Sequence, residues 1–425
     1  MKKAKVVTAA VAAVIGCAAA VWAGAAQAQA LQGEYKLGVL EPLTGNLATQ
    51  GKLHLEGYEV MRDLINTKFG GVMGKKLVLV TGDGVDPTAA ASEAARLATR
   101  EGVKIITGTF SSILCGAASE AAARQNVIYW ETSCVDPRFT KRGLKTAFRT
   151  EIDGTGFGWY NIEFIRETLQ KKLGIDLKKM KVAFVSEDSA YGQGTTEAGK
   201  KRAQELGMTV LSVDYYNRNT MTDFTPVILK LKSSRPDVIV ASCYTNDAIL
   251  LWKQAKQLSL EVKAIISAGA VSFGSPDFGK SLGKDAEGVF ALVEPAGLNP
   301  KAMSSEMAAL EAEVAKRYEA KYNERYAASA QLGAAGVWIL AEVLKKTGGD
   351  LNPDKVRAAA LNLDVPVGGM LNGWGVKFGV DGQNTNERVQ HYMLQWQDGR
   401  LVTVWPERFA VAPMRMVPLP KWSER

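Results

Sequence analysis

Histidine is nearly absent from this chain: two occur among 425 residues, His54 and His391, far apart and in unrelated contexts. No His-Glu-x-x-His, Cys-x-x-Cys or calcium-loop spacing accompanies them, so neither a structural nor a catalytic metal is expected. A Gly-x-Ser-x-Gly elbow and a Walker loop are also missing, and no histidine stands near a serine or cysteine in a triad-like order. Enzyme chemistry has no reactive group to start from, and no cofactor is implied. Tyr191-Gly192-Gln193-Gly194 has the outline of a nucleotide fingerprint but lacks the third glycine and the acid after the next strand. It reads as a helix-start turn with Tyr191 projecting above the strand ends. Blocks of one charge are lacking as well: 52 Lys and Arg are interspersed with 44 Asp and Glu, which gives no footprint for nucleic acid. Beyond the N-terminus no run is long and apolar enough to span a bilayer.

The N-terminus is different. Met1-Lys2-Lys3-Ala4-Lys5 precedes a small, apolar run from Val6 to Ala26 and then Gln27-Ala28-Gln29-Ala30. A basic start, an apolar core and a small-x-small exit make a secretory signal peptide over residues 1–28, with cleavage after Ala28 or Ala30 fitting equally well. Val14-Ile15-Gly16-Cys17 resembles a lipoprotein box, and lipidation at Cys17 would tether the chain to a membrane; the better-formed exit lies further on. Removing the three leader lysines takes the formal charge from +8 to +5. The exported remainder, about 400 residues, is too long for one ordinary core, so two lobes are expected. It keeps Cys115, Cys134 and Cys243. In an oxidising compartment that odd count means one bridge and one buried thiol, or three buried thiols. Cys115 and Cys134 sit just past neighbouring strands, which makes them the candidate pair.

From Tyr35 onward, short β-branched runs alternate with helical runs carrying apolar residues every third or fourth position. This is the pattern of doubly wound α/β units with parallel sheets. One unit ends near Ile152, a second near Glu294, and "TAFRTEIDGTGFG" lies between them. The spacing predicts a first lobe from 31–152 plus 295–374 and a second from 153–294 plus 375–399. Residues 400–425, rich in proline, are expected as an extended surface tail. A ligand is expected at the carboxyl ends of the strands, between the lobes. The segments there are polar or aromatic. Ser111-Ser112 opens a helix after the third strand, where an N-cap role competes with binding of an anion or carbonyl. Glu131, Ser133 and Val135 follow the fourth strand. Tyr191, Tyr244 and Gly269 follow strands of the second lobe.

"GVLEPLTG", "GDGVDPTAAASEAARLA", "GTFSS", "SAYGQG", "RPDVIVASCY" and "AEGVF", in this order, resemble the periplasmic substrate-binding proteins of the branched-chain amino-acid ABC-importer family. The resemblance reaches to about Gly399. It implies the type I periplasmic binding fold, two Rossmann-like lobes joined by three crossovers near Ile152, Glu294 and Trp374, and closure on a small solute. It also implies a periplasmic monomer that hands its solute to membrane permease and ATPase subunits. In such amino-acid binders the carboxylate is held at positions that are Ser111, Ser112, Ile113, Ser133 and Val135 here. The hydroxyl pair is kept, but valine stands where a threonine is usual. The acid that counters the α-amino group corresponds to Gly269, and a frequent tyrosine to Gln50. Glu131 or Asp247 is left as a replacement counter-charge. Together with the aromatic residues, these departures favour a hydrophobic or aromatic carboxylate or amide over leucine or valine. A ligand-sensing receptor of the same fold acting through a partner protein, and a plain branched-chain amino-acid binder, are the alternatives.

Overall fold

The computed structural model describes residues 31–268, 272–379 and 383–425. The leader, with Cys17 and both cleavage positions, lies outside the described residues, as does Gly269. Among the described residues no helix is long and apolar enough to cross a membrane.

The first lobe is a five-stranded parallel sheet of order β2-β1-β3-β4-β5. Its strands are β1 (Glu34–Glu41), β2 (Lys76–Asp83), β3 (Ile105–Gly108), β4 (Ile128–Glu131) and β5 (Ala147–Arg149). The helices between them are α1 (Ala48–Lys68), α2 (Pro87–Thr99) and α3 (Ser112–Arg124). The start of α2 follows from local chemistry: Asp86 accepts from Ala89 N–H at 2.8 Å and Pro87 takes the first helical position. β3 and β4 are buried along their whole length, as expected of parallel strands covered on both faces.

After Ile152 the chain enters α4 (Gly154–Phe164), which runs on through a π turn, Ile165–Leu169, into α5 (Gln170–Leu173). The second lobe follows with β6 (Lys181–Glu187), α6 (Ala190–Glu205), β7 (Thr209–Tyr216), α7 (Thr225–Ser234), β8 (Val238–Ser242), α8 (Thr245–Gln257), β9 (Ala264–Ala268), α9 (Pro276–Leu282) and β10 (Phe290–Val293). α4 lies against α6 because Gly158 has no side chain; a Cβ there would sit 2.2 Å from Thr195 O.

At Glu294 the chain returns to the first lobe and adds α10 (Ser305–Tyr322), α11 (Ala328–Lys346) and α12 (Pro353–Leu361). α11 packs on α1 at a point where a Cβ on Gly57 would meet Ala330 O at 2.0 Å. β11 (Asp364–Val365) and β12 (Val376–Lys377) then pair with each other. β13 (Tyr392–Gln397) and β14 (Arg400–Trp405) complete a second sheet of order β14-β13-β10-β9-β8-β6-β7. β13 runs antiparallel to its neighbour β10, and β14 runs antiparallel to β13.

Two boundaries differ from the sequence expectation. The third crossover lies at His391, not at Trp374. Residues 375–379 and 383–390 stay with the first lobe because Arg149 N–H donates to Asn384 O and Asn386 N–H to Arg149 O, which extends the edge beyond β5, while Phe378 packs on Trp130 and Phe148. The tail begins later than position 400, since Arg400–Trp405 is a sheet strand. Asp398 and Gly399, both at positive φ, form the two-residue turn that folds β14 back on β13. From 406 onward the chain has only two short 3-10 turns, Glu407–Phe409 and Trp422–Glu424, and covers the second lobe: Leu419 N–H reaches Lys263 O at 2.8 Å and the Trp422 indole reaches Leu260 O at 2.8 Å.

Candidate functional site

The strand ends of both lobes face one another. At the end of β1, Glu41 is fully buried and accepts from the Tyr58 hydroxyl at 3.0 Å and from Phe110 N–H at 2.8 Å. It thereby fixes the loop that leads from β3 into α3. Ser111 occupies the N-cap position of α3 at φ +91°, a conformation L-residues seldom adopt, and its side chain makes no capping bond. It faces the Tyr244 hydroxyl instead. Ser112 Oγ accepts from Asp136 N–H at 3.0 Å. The N-terminus of this 13-residue helix is therefore not capped by its own serine, and its N–H groups and hydroxyls face the space between the lobes.

The loop after β4 is built around Glu131. Its carboxylate accepts from the backbone N–H groups of Ser133 and Cys134 and lies 3.6 Å from Arg149 Nε, both side chains being fully buried. Burial pushes Glu131 up to about 7 against the opposing pull of Arg149. Cys115 and Cys134 are joined in a disulfide with a Cα–Cα distance of 6.4 Å, which ties α3 to this loop, and Cys243 is a buried free thiol. His54 Nδ1 lies 3.3 Å from both Glu41 Oε1 and Ser133 Oγ. One ring nitrogen faces acid and hydroxyl alike, so this trio lacks the two-nitrogen relay that activates a serine nucleophile.

The second lobe contributes aromatic rings. Glu187, at the end of β6, accepts from Ser189 N–H at 2.9 Å and Gly192 N–H at 2.8 Å, which sets the first turn of α6 and aims Tyr191 across the strand ends. The Tyr191 hydroxyl donates to Ala268 O, and its ring lies 5.6 Å from that of Tyr244. Tyr244 stands 6.3 Å from Phe110 of the first lobe, with Arg218 stacked 4.0 Å over its ring.

These groups line a partly open cavity of about 40 Å³. Of the residues singled out in the sequence, Ser111, Ser112, Ser133, Val135, Tyr191 and Tyr244 line it. Phe110 and Phe157, two of the aromatic residues the sequence offered for the ligand body, line it as well, and Leu332 and Glu151 do so without having been singled out. Glu131 does not line the cavity; it is consumed in shaping the loop below. Gln50 holds Ser329 Oγ at 2.8 Å and Thr245 Oγ1 at 3.4 Å, a tie between α1 and α8 beside the cavity. The Ile113 side chain is 60% exposed and points away. Asp247 accepts from the Tyr216 hydroxyl at 3.0 Å and lies off the lining.

The cavity is mostly apolar, with hydroxyls and helix N–H groups on the first-lobe wall, and no lysine or arginine among its lining residues. Its one carboxyl is Glu151, which is 2% exposed. Burial, together with the facing Glu294, holds Glu151 well above the usual carboxylate range. The sequence signal for Glu151 was its place: an acid on the first crossover must pass the floor of any cleft between two lobes.

The family model for periplasmic binding proteins matches residues 34–400. Leu/Ile/Val-binding protein homolog 8 of Brucella abortus (strain 2308) is 34% identical over 384 residues, covering 90% of this chain and 93% of that one. Leu/Ile/Val-binding protein homolog 7 of Brucella suis biovar 1 (strain 1330) is 34% identical over 399 residues, covering 94% and 97%. Among solved structures, the branched-chain amino acid transporter substrate-binding protein LivJ from Streptococcus pneumoniae, in complex with isoleucine, superposes with a TM-score of 0.72 at 21% identity, covering 87% of this chain and 97% of that one. A solute-binding protein of an ABC transporter from R. palustris, in complex with benzoate, gives 0.71 at 18% identity, covering 90% and 97%.

Proposed function

This chain belongs to the periplasmic binding protein family, and from that premise we propose that it is the extracytoplasmic solute receptor of an ABC importer. It binds one small molecule between its lobes and delivers it to the permease and ATPase subunits, after export by its own signal peptide. The observation that carries this reading is the cavity itself: two serine hydroxyls and a helix N-terminus on one wall, and tyrosine rings on the other. That mixture suits a solute with a carboxylate or amide head and a hydrophobic or aromatic body. Ser111 and Ser112 take the head, with Ser133 beside them. Phe110, Phe157, Tyr191 and Tyr244 enclose the body. Relatives named for leucine, isoleucine and valine, and fold neighbours holding isoleucine and benzoate, fall within that range. Catalysis is not part of the proposal: among the described residues no nucleophile with a base in relay geometry faces the cavity.

A thermal-shift screen of the mature protein against amino acids, aromatic acids, amides and short carboxylates tests the reading. A true ligand at a hundredfold excess over Kd stabilises the protein by about 2.7 kcal/mol. Unchanged uptake of that ligand in a strain deleted for this protein overturns the importer role.

A further inference from the structure

Glu151, Glu294 and His391 stand one on each of the three crossovers, and they meet. Their ligand-capable atoms lie within 4.8 Å of one another, all three side chains are buried, and His391 Nε2 is 3.5 Å from Glu151 Oε1. Glu151 Oε2, both carboxyl oxygens of Glu294 and both ring nitrogens of His391 have no donor or acceptor outside the cluster, and the two carboxyls are within hydrogen-bonding reach of each other. Two carboxyls are thus packed together at the floor of the cleft, and one of them also lines the cavity. Such a pair cannot carry two uncompensated charges; sharing a proton is the physical resolution, as in paired carboxylates generally.

Resting on the solute-receptor reading above, we propose that Glu151, backed by Glu294 and His391, is the cation-recognising pole of the cleft. A ligand ammonium on Glu151 displaces the proton that the two carboxyls share, and that proton passes to solvent. The ligand class this names is a zwitterionic amino acid with a hydrophobic side chain. Its carboxylate lies at Ser111 and Ser112, and its ammonium on the crossovers instead of on the second-lobe wall. The surroundings fit. Burial first of all pushes Glu294 up to about 7 and holds Glu151 well above the usual carboxylate range, while burial holds the His391 imidazole neutral. Arg149 and Glu131 act on Glu151 from below with opposite signs. Arg149 is turned to the carbonyls of Cys134 and Asp136, so it does not occupy the pole. Among the described residues, Tyr191 on α6, Tyr160 on α4 and Tyr392 on β13 also stand near the cluster. Burial raises all three, so they stay neutral across the physiological range.

Calorimetry on the mature protein with two matched pairs tests this: leucine against 4-methylpentanoate, and phenylalanine against 3-phenylpropanoate, which differ only in the ammonium. Each is titrated from pH 5.5 to 8.5 in phosphate and in Tris. The expected result is that an amino acid binds at least tenfold tighter than its partner at pH 8. Its affinity should climb up to tenfold per pH unit below about 7, with proton release visible as a buffer-dependent heat. The des-amino acids should show no such slope. Glu151→Gln should weaken the amino acid by roughly 10- to 150-fold and leave the des-amino acid little changed. Glu294→Gln should move the pH midpoint down by about a unit or more, because it removes the like charge beside Glu151. Tighter binding of the des-amino acids, or equal affinities with the same pH profile, overturns this inference and leaves the receptor reading standing. Stabilisation by zinc that no amino acid competes with overturns it in favour of a metal site. Failure of all four solutes to bind overturns this inference, and the receptor reading is then decided by the wider screen above.

Discussion

Replacing Ser111 by glycine separates a ligand contact from a helix cap. Ser111 sits at φ +91° without a capping bond. A residue held in such a region costs on the order of 1–3 kcal/mol, and glycine adopts it freely. Ser111→Gly should therefore raise the free energy of unfolding by about 1 kcal/mol. The same change removes a hydroxyl from the cavity wall. A hydrogen bond to a charged head contributes about 1.5–3 kcal/mol, which is roughly 10- to 150-fold in Kd. Stability and affinity should move in opposite directions. Ser111→Ala keeps the strained backbone, so it should lose affinity by a similar factor with stability changed by less than about 0.5 kcal/mol. Asp86→Ala is the contrast: it removes a real cap, bonded to Ala89 N–H at 2.8 Å, and should cost about 1 kcal/mol of stability with affinity untouched. Urea unfolding followed by tryptophan fluorescence gives the first quantity and calorimetry the second. Unchanged affinity in both Ser111 variants would refute the assignment of the hydroxyl to the ligand, and a destabilised Ser111→Gly would refute the strain argument.

Stability should also fall as pH rises from about 5 to 7.5. Glu131 and Glu294 are raised to about 7 in the fold, so across that window the unfolded chain has lost protons that the folded one still holds. Glu131→Gln should flatten the slope measured by urea unfolding at several pH values; a slope of the opposite sign contradicts the burial of neutral carboxyls. Alkylation of the denatured, unreduced mature protein should modify one cysteine, Cys243, and three after reduction. Reduction should cost about 3 kcal/mol from the chain entropy of the closed loop. Three modified cysteines before reduction would rule the bridge out. Saturating ligand should lower the radius of gyration in small-angle scattering, because two lobes on three crossovers close as hinges; an identical value with and without ligand contradicts closure.

The alternating pattern made the two α/β lobes legible before any coordinates, and it did so for a physical reason. Parallel strands are continuous apolar runs, and their helices carry the 3.6-residue stripe, so "VKIIT" and "DPTAAASEAARLATR" announce β3 and α2. The strand-end serines and tyrosines were legible because a parallel sheet binds at its carboxyl edge. The hairpin of β13 and β14 was missed although Asp398-Gly399 is its sequence mark; the prolines further on drew the boundary too early. The third crossover was missed because Asn384 and Asn386 attach their segment to the first lobe through side-chain and backbone bonds that no periodicity encodes. Glu131 was expected near the ligand and instead turned inward to Arg149 and two N–H groups. Glu151 had a signal only in its place beside the expected crossover at Ile152, and none in its local pattern. It becomes a lining residue only when three distant crossovers are brought together, and pairing between residues 151, 294 and 391 is not readable from one sequence.

The central claim is that the cleft binds one small solute, with its polar head against the N-terminus of α3. Calorimetric titration of the mature protein with the best ligand from the screen, repeated on Ser112→Ala and Tyr244→Ala, tests it most directly. The account predicts one site per chain, a negative heat-capacity change from burial of the apolar body, and at least a tenfold loss of affinity in each variant. Undiminished affinity in both variants would place the ligand outside this cavity and contradict it.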